Sequence, residues 1–209
     1  MPQLAAPQRE ATADGRRLRR EQNRETAIDA LLALLADGNS QPSTAEVAAR
    51  AGLSPRSLFR YFEDTDDLYL AAATRQIILA LPLLELGVRP DLPADLKAAA
   101  VVRARARLFE AIGPAGRALR ASAYRNAVLA AELDRYRAFF RGQHSEVFAP
   151  ELAGSGAVMG PALNVLCSFE CYELLRFGEG LSRRQAEAAL TAALRALLDC
   201  AGTRPEAWS

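Results

Sequence analysis

Residues 43–62 read STAEVAARAGLSPRSLFRYF, and this stretch decides the fold because it holds start and stop signals for two short helices. Ser43 and Glu46 have the S-x-x-E spacing of a capping box, in which side chain and backbone satisfy each other's groups. Gly52 can end the first helix in a left-handed conformation at no steric cost. Ser54, followed by a proline, is a second helix start. The stretch therefore predicts two helices joined by a tight turn.

The second of these helices has two different faces. Leu58 and Phe62 lie four residues apart and share one face, which is expected to be buried. At about 100° per residue, Arg56, Ser57 and Arg60 fall on the opposite side. An anchored helix that exposes Arg and Ser suits the major groove, where Arg donates two hydrogen bonds to guanine. The alternative is a surface helical hairpin with solvated arginines.

This order of residues resembles the DNA-binding domain of the TetR family of bacterial regulators. The family run T-x-x-x-I-A-x-x-A-G-V-S-x-x-x-L-Y-x-Y-F is matched by Thr44 or Ser43, Val47, Ala48, Ala51, Gly52, Leu53, Ser54, Leu58, Phe59, Tyr61 and Phe62, with Leu68 beyond it. The resemblance is specific in this run and looser over about residues 18–80. Farther on, SFECYELLRFGEGLSRRQAEAALTAALRALL (168–198) resembles the last two helices of some members' ligand-binding domain.

The resemblance implies that the protein binds a double-stranded DNA operator through this domain. Besides the two arginines and the serine, it implies DNA contacts at Thr44, Ser54, Pro55, Phe59, Tyr61 and Thr65. Many members have a lysine, implied to contact phosphate, where Thr65 stands, and a tyrosine where Phe59 stands. Both changes remove a phosphate contact and predict a lower non-specific affinity, since phosphate neutralisation supplies most of it. They leave unchanged the face of the second helix that carries Arg56, Ser57 and Arg60.

Composition limits the class of protein. The chain has 209 residues, half of them apolar, and a net charge of +1, which is no sign of nucleic-acid binding. Residues 1–75 contain ten Arg and no Lys against eleven Asp and Glu, so a DNA-binding surface must concentrate its positive charge on one face. Three cysteines and one histidine form no metal-binding pattern. With no signal peptide and no membrane-spanning run, we expect a cytoplasmic protein with no membrane partner, metal or cofactor.

The N-terminal segment is predicted to complete the DNA-binding domain. Residues 1–17 lack apolar periodicity and are predicted to be a disordered basic arm. Its basic cluster continues through Arg19 and Arg20, and either reaches the minor groove or phosphates or is a solvated leader. An apolar stripe with helical spacing follows at Ile28, Leu31, Leu32 and Leu35. This stripe predicts a first helix that packs on the two short ones as a three-helix core.

The remainder of the chain predicts helices only. A fourth helix, with an acidic start, is expected to end near Leu81 and to link the DNA-binding domain (18–81) to a second domain (82–204), with 205–209 as a tail. No strand-like alternation occurs in the second domain. Its predicted helices span 94–112, 114–130, 132–149, 158–177 and 183–200. The predicted fold is therefore all-α, a helix-turn-helix domain joined by a linking helix to a helical ligand-binding and dimerisation domain.

Aromatic side chains of the second domain form either an effector pocket or ordinary core. The candidates are Phe109, Tyr124, Tyr136, Phe139, Phe140, Phe148 and Met159, with Asn164, Cys167 and Glu170 as polar insertions. The resemblance implies a small-molecule effector here without identifying it. Glu170 is expected to meet solvent or an arginine, because an uncompensated buried carboxylate is costly. Cys167 and Cys171, four apart on one helix, are poorly placed for a disulfide bond and are expected to be small core residues.

The two C-terminal helices are predicted to pair with a second copy of the chain. Helix 158–177 is apolar on almost every side and the next helix carries an apolar stripe, so two from each chain would form a four-helix interface. The candidate interface residues are Leu166, Phe169, Leu190, Leu194 and Leu197. The alternative is that both helices are the core of a monomer. A homodimer would read palindromic half-sites about 34–36 Å apart, or a multiple of that distance.

These patterns favour a dimeric, ligand-responsive transcriptional regulator, expected to be a repressor released from its operator by a small molecule, with activation left open. The alternative is a helical ligand-binding or interaction protein of the same fold with weak or no specific DNA binding, which the acidic start of the fourth helix favours. An enzyme finds no support. His144 is the only histidine, no nucleophile motif or phosphate-binding loop is present, and no catalytic residue is predicted.

Overall fold

The computed structural model of the protein describes residues 7–153, 155 and 157–202. Within these residues every regular element is helical, which confirms the predicted all-α class. The elements are α1 (Pro7–Ala36), α2 (Thr44–Arg50), α3 (Pro55–Leu58), α4 (Thr65–Leu79), α5 (Leu81–Leu84), α6 (Ala94–Ala123), α7 (Ala127–Val147), α8 (Ala149–Leu152), α9 (Met159–Leu166), α10 (Phe169–Glu173), a π-helical turn (Leu174–Gly178) and α11 (Arg183–Gly202). In this part of the chain no helix has the length and apolarity needed to cross a membrane.

The chain divides into two compact units. Unit 1 comprises residues 1–78 and 114–130, and unit 2 comprises residues 79–113 and 131–209. The segment 114–130 thus differs from the continuous second domain predicted from the sequence, since it groups with the N-terminal unit and buries Ala118 in the core of unit 1. Apolar periodicity shows which face of a helix is buried but not which unit covers it.

The core of unit 1 forms where the apolar pattern predicts it. Its buried side chains include Ile28, Leu31, Leu35, Val47, Leu58 and Phe62, with Leu32 partly buried against them. The fourth helix adds Leu68, Tyr69 and Ala72 to the same cluster. A three-helix core closed by one face of α4 therefore fixes the positions of the two short helices.

The first helix starts earlier than the sequence predicts. α1 begins at Pro7, so the predicted disordered arm is wrong for residues 7–17, while residues 1–6 lie outside the described part. Proline is favoured in the first turn of a helix, and the Ala, Arg, Glu and Gln that follow are strong helix formers. Arg19 and Arg20 are consequently exposed side chains of a helix.

Two predicted helix boundaries are also wrong. α6 continues through Pro114 to Ala123, although an interior proline removes a backbone hydrogen bond and crowds the preceding turn. The chain breaks instead at Asn126, whose Oδ1 accepts the N–H groups of Val128 and Leu129 at 2.8 and 3.1 Å. An asparagine that satisfies two such groups starts a new helix.

The predicted helix 158–177 is interrupted as well. Cys167 ends α9, and Ser168 restarts the chain as the cap of α10, its Oγ accepting the Cys171 N–H at 3.1 Å. A π-helical turn then continues from α10. A Ser cap competes with helix continuation by binding nearby backbone, which explains the break in an otherwise apolar run.

A buried lysine ties three parts of unit 2 together. Lys97 of α6 is fully buried, and its Nζ donates to the Pro90 carbonyl at 2.9 Å and the Val147 carbonyl at 3.2 Å. The same Nζ lies 2.6 Å from Oε2 of Glu151. A cation at the last residue of α7 also suits the partial negative charge of a helix C-terminus.

Lys97→Met is expected to lower the free energy of unfolding by about 3 kcal/mol, because it leaves a carboxylate and two carbonyls without their donor. Urea unfolding followed by circular dichroism measures the change. Glu151→Gln is the companion variant and is also expected to cost about 3 kcal/mol, since the amide leaves the fully buried Lys97 ammonium without a counter-charge. A Lys97→Met protein as stable as the wild type would show that the ion pair contributes no net stability.

Candidate functional site

The turn between α2 and α3 is built by the predicted signals. Ser43 Oγ accepts the Glu46 N–H at 3.2 Å and Glu46 Oε2 accepts the Ser43 N–H at 2.8 Å, which completes the capping box. That pairing holds the pKa of Glu46 below its usual value, mainly through the Ser43 side chain. Gly52 has a φ of +67°, the left-handed conformation expected of it. Ser54 Oγ accepts the Ser57 N–H at 3.1 Å and caps α3.

α3 is a single helical turn whose apolar side packs in the core of unit 1. Leu58 and Phe62 are 1% and 3% exposed, as the spacing predicts. The chain continues as a tight turn in which the N–H of Phe62 donates to the Leu58 carbonyl at 3.2 Å. Arg56 and Arg60 are exposed, and Ser57 is half-buried. The predicted division into an anchored face and an exposed Arg face is confirmed.

Positive charge from α1 reaches this face. Arg20 Nη2 donates to the Arg60 carbonyl at 3.3 Å. The basic segment of α1 therefore adjoins the turn that follows α3. One helical turn farther on, the Arg24 guanidinium lies 5.1 Å from the centre of the Phe62 ring. Residues 1–75 carry no net positive charge, so any binding to phosphates there depends on local groupings of arginines such as this one.

The other residues implied as DNA contacts occupy different environments. Phe59 is 52% exposed beside the arginines, whereas the Tyr61 ring is 9% exposed and packs in the core. Tyr61 Oη accepts a hydrogen bond from Asn23 Nδ2 at 2.9 Å, which leaves its own proton for another acceptor. Thr44 and Thr65 are half-buried at the first residues of α2 and α4. Ser54 and Pro55 are exposed at the start of α3.

The acidic start of α4 has structural partners within unit 1. Asp64 Oδ1 accepts the Asp67 N–H at 2.8 Å, and Asp67 Oδ2 accepts the Glu63 N–H at 3.2 Å. Asp66 Oδ2 accepts from Asn126 Nδ2 at 2.7 Å. Carboxylates here satisfy the unpaired N–H groups of a helix start, where negative charge is favourable. Capping and packing therefore account for Asp64, Asp66 and Asp67.

The aromatic candidates of unit 2 contact one another around Phe109. The Phe109 ring lies edge-on to Phe140 and Phe169, with centroids 6.4 and 5.5 Å apart, and 5.8 Å from Tyr172. Of the remaining candidates, Phe148 and Met159 are buried, Tyr136 is half-buried and Phe139 is 47% exposed. Tyr124 belongs to unit 1 and is 93% exposed.

The polar candidates of unit 2 differ in their surroundings. Glu170 is exposed and its Oε1 lies 2.5 Å from Nη2 of Arg137, so it takes the predicted pairing with an arginine. Cys167 is buried, and this burial raises the pKa of its thiol to about 12. It is therefore a small core residue, as expected, rather than a reactive thiolate. Asn164 Oδ1 lies 3.0 Å from His144 Nδ1.

His144 and Arg105, which are not among the site residues predicted from the sequence, form a buried polar network in unit 2. Both are 2% exposed, and Arg105 Nε donates to His144 Nε2 at 3.1 Å. Nε2 is therefore the unprotonated nitrogen, and Nδ1–H donates to Asn164. The apolar residues three and four positions from each of them are the signal that places both on buried helix faces.

The buried imidazole makes stability depend on pH. Burial, reinforced by the charge of Arg105, lowers the pKa of His144 to about 4. Between pH 6.5, the value in an unfolded chain, and about 4, the unfolded state binds the extra proton, so stability falls as the pH falls through this window. We expect this to remove roughly 3 kcal/mol by pH 4. Urea unfolding at several pH values measures it.

His144→Gln is the variant for this test, because an amide can still accept from Arg105 and donate to Asn164 without titrating. Its stability is expected to change less than that of the wild type between pH 7 and 4. Other acidic groups affect both proteins equally, so only the difference between the two curves counts. Parallel curves would contradict the assignment of the pH dependence to His144.

The residues predicted as a dimer interface fall into two groups. Phe169, Leu190 and Leu194 are at most 6% exposed and belong to the core of unit 2, so they are core residues of the protomer rather than interface residues. Leu166 and Leu197 are partly buried against that core. An apolar stripe requires burial, and here other helices of the same chain supply it. Exposed apolar side chains of this region include Val165, Leu174 and Phe177, at 63%, 61% and 62%.

An N-terminal helix-turn-helix unit followed by further helices is an architecture typical of DNA-binding regulators. Residues 27–72 match the model of the family described as bacterial regulatory proteins, tetR family. The N-terminal unit thus carries the DNA-binding domain of the TetR family of bacterial regulatory proteins. The resemblance stated from the sequence is confirmed.

Two solved structures share the fold over most of the chain. A tetR-family transcriptional regulator from Streptomyces coelicolor is 22% identical with a TM-score of 0.65, over 88% of this chain and 86% of that one. A structure described as a TetR-family transcriptional regulator from Mesorhizobium loti MAFF303099 is 18% identical with a TM-score of 0.58, over 87% of this chain and 98% of that one. At these identities the likeness shows the fold alone. The chain has no significant match among curated proteins.

Proposed function

We propose that the protein is a dimeric repressor that binds a palindromic DNA operator and leaves it when a small molecule binds to unit 2. The observation that carries the DNA-binding part is the exposed pair Arg56 and Arg60, held outward by the buried side chains Leu58 and Phe62. This arrangement suits a major groove because each arginine can donate two hydrogen bonds to a guanine.

The surrounding groups would fix the register on the duplex. Arg20, at the end of the basic segment of α1, can contact phosphate, and the Tyr61 hydroxyl has a proton to donate to a phosphate oxygen. The exposed Phe59 ring offers an apolar contact to a thymine methyl group. Phosphate contacts position the helix, and the base contacts of α3 then give specificity.

A single helical turn reads too few bases for high specificity, which supports a dimer. We place the interface on Val165, Leu174 and Phe177, with Leu166 and Leu197 beside them. These apolar side chains are more than 60% exposed or only partly buried in one chain, and a twofold partner that presents the same patch would cover them. The two reading helices would then meet half-sites one helical turn, about 34–36 Å, or a multiple apart.

Release would follow from two arrangements of the dimer with different affinities for the operator. A ligand that binds one arrangement better shifts the population towards it, and coupling of about 1–3 kcal/mol changes operator affinity roughly 5- to 150-fold. The second candidate is a helical ligand-binding protein with weak or no specific DNA binding, favoured by the four acids at residues 63–67.

Selection of bound duplexes from random DNA by the full-length protein, at two salt concentrations, separates these candidates. The regulator is expected to enrich a palindrome at both. If folded protein enriches no sequence even at low salt, the sequence-specific regulator is ruled out, and the helical ligand-binding protein is the remaining candidate.

A further inference from the structure

Arg105 is a cation in an apolar core. It lies on the α6 face that carries Val101, Val102, Leu108 and Phe109, all at most 3% exposed. Burial lowers the pKa of its guanidinium to about 10, so it remains charged at neutral pH. A buried charge is expensive unless it is paired with an opposite charge and fully hydrogen-bonded.

The partners of Arg105 are all neutral. Nη2 donates to Gln143 Oε1 at 2.7 Å, Nε donates to His144 Nε2 at 3.1 Å, and the buried Nη1 has no hydrogen-bond partner. Among the residues that the structure describes, no carboxylate pairs with this guanidinium. Neighbours hold two of its three nitrogens in place, and the third is left to donate to something else.

The side chains around Arg105 are aromatic and held in position. The guanidinium lies 4.4 Å from the centre of the Phe140 ring, which in turn is edge-on to Phe109. Asn164 holds His144, and Gln143 is held by its own donation to the Leu84 carbonyl at 3.0 Å. A fixed cationic donor next to rigid aromatic faces is suited to a molecule with an anionic head and an apolar body.

We infer, resting on the ligand-responsive regulator proposed above, that the effector is a small organic carboxylate whose head accepts hydrogen bonds from Arg105 Nη1 and whose apolar body packs on Phe109 and Phe140. The carboxylate supplies the missing counter-charge and satisfies the unpaired nitrogen. Gln143 and His144 are positioning residues, since they orient the guanidinium from its other side.

Matched acid and amide probes test the charge requirement directly. 1-Naphthoate and decanoate are compared with 1-naphthamide and decanamide by calorimetric titration of the full-length protein at pH 7. At least one acid is expected to bind about tenfold or more tightly than its amide, because the amide lacks the charge that pairs with the guanidinium. Equal affinity within both pairs, or no binding by either acid, would overturn the inference.

Variants at Arg105 assign the preference to this residue. Arg105→Gln is expected to abolish the preference for acid over amide, while Arg105→Lys keeps part of it. Arg105→Met removes the charge and keeps an unbranched apolar side chain. The gain from removing an unpaired buried charge offsets the lost donors to Gln143 and His144, so the melting temperature is expected to stay close to that of the wild type. This variant gives a folded test protein even if the glutamine variant fails to fold. An acid preference that survives in Arg105→Met would overturn the inference.

A DNA-binding assay in parallel distinguishes failure of the carboxylate effector from failure of the proposed regulator. Loss of acid binding with intact operator binding would refute the carboxylate effector alone. Intact acid binding with no DNA binding by the wild type would refute the proposed regulator and leave the ligand site standing.

Discussion

Arg60→Ala is expected to lower affinity for the enriched duplex by about tenfold or more, the effect of removing one arginine contact to a base. The side chain is exposed, and its guanidinium lies 5.7 Å from the centre of the Tyr61 ring. Its backbone carbonyl, which accepts from Arg20, is unaffected by the substitution. The fold should therefore be unchanged, and fluorescence anisotropy with a labelled duplex measures the loss.

Arg50→Ala is the matched control for Arg60→Ala, because it removes the same charge from the same unit. Arg50 lies in α2, with Nη2 3.0 Å from Asp37 Oδ2, and does not belong to the exposed face of α3. It is expected to reduce affinity only slightly. Equal losses in the two variants would mean that overall charge, rather than the α3 face, determines binding.

Leu174→Glu combined with Phe177→Glu is expected to convert the dimer to a monomer and to remove most operator affinity. Two carboxylates in each copy would meet their symmetry mates across a twofold interface, where buried unpaired charge costs several kcal/mol. Sedimentation should change from twice 22.6 kDa to 22.6 kDa at micromolar concentration. Both side chains are more than 60% exposed, so the protomer should still fold.

Leu96→Glu is the control for the dimer variant. Leu96 is an exposed apolar side chain of α6 in the same unit, outside the C-terminal helices. The mass should stay at the dimer value. A wild type that already sediments as a monomer would refute the proposed dimer, and a double variant that stays dimeric would refute this placement of the interface.

The helix-turn-helix could be predicted in detail because its signals are local. Ser43, Glu46, Gly52 and Ser54 act on backbone groups within a few residues, so their roles follow from spacing alone. The break at Ser168 is a local signal too, but the apolar residues on both sides of it favoured one continuous helix. The structure follows the cap, and the helix is interrupted at Ser168.

The hydrogen bonds around Arg105 and His144 could not be predicted in the same way. Arg105 and His144 are 39 positions apart in sequence, and their hydrogen bond depends on how α6 and α7 pack. Helical spacing does place each on a buried face, and a charged or titratable residue on such a face indicates a special role. Leu190 and Leu194 were assigned to a dimer for a related reason, since a stripe predicts burial but not by which chain.

The ratio of affinities for the enriched duplex and a scrambled duplex of equal length shows whether α3 and the turn that follows it read DNA sequence. Full-length protein is titrated against both by anisotropy at about 0.15 M salt, near physiological ionic strength. A specific regulator is expected to prefer the enriched duplex by about 10³-fold or more. Equal affinities that fall together as salt rises would show that only phosphates are bound, and would contradict sequence reading by Arg56 and Arg60.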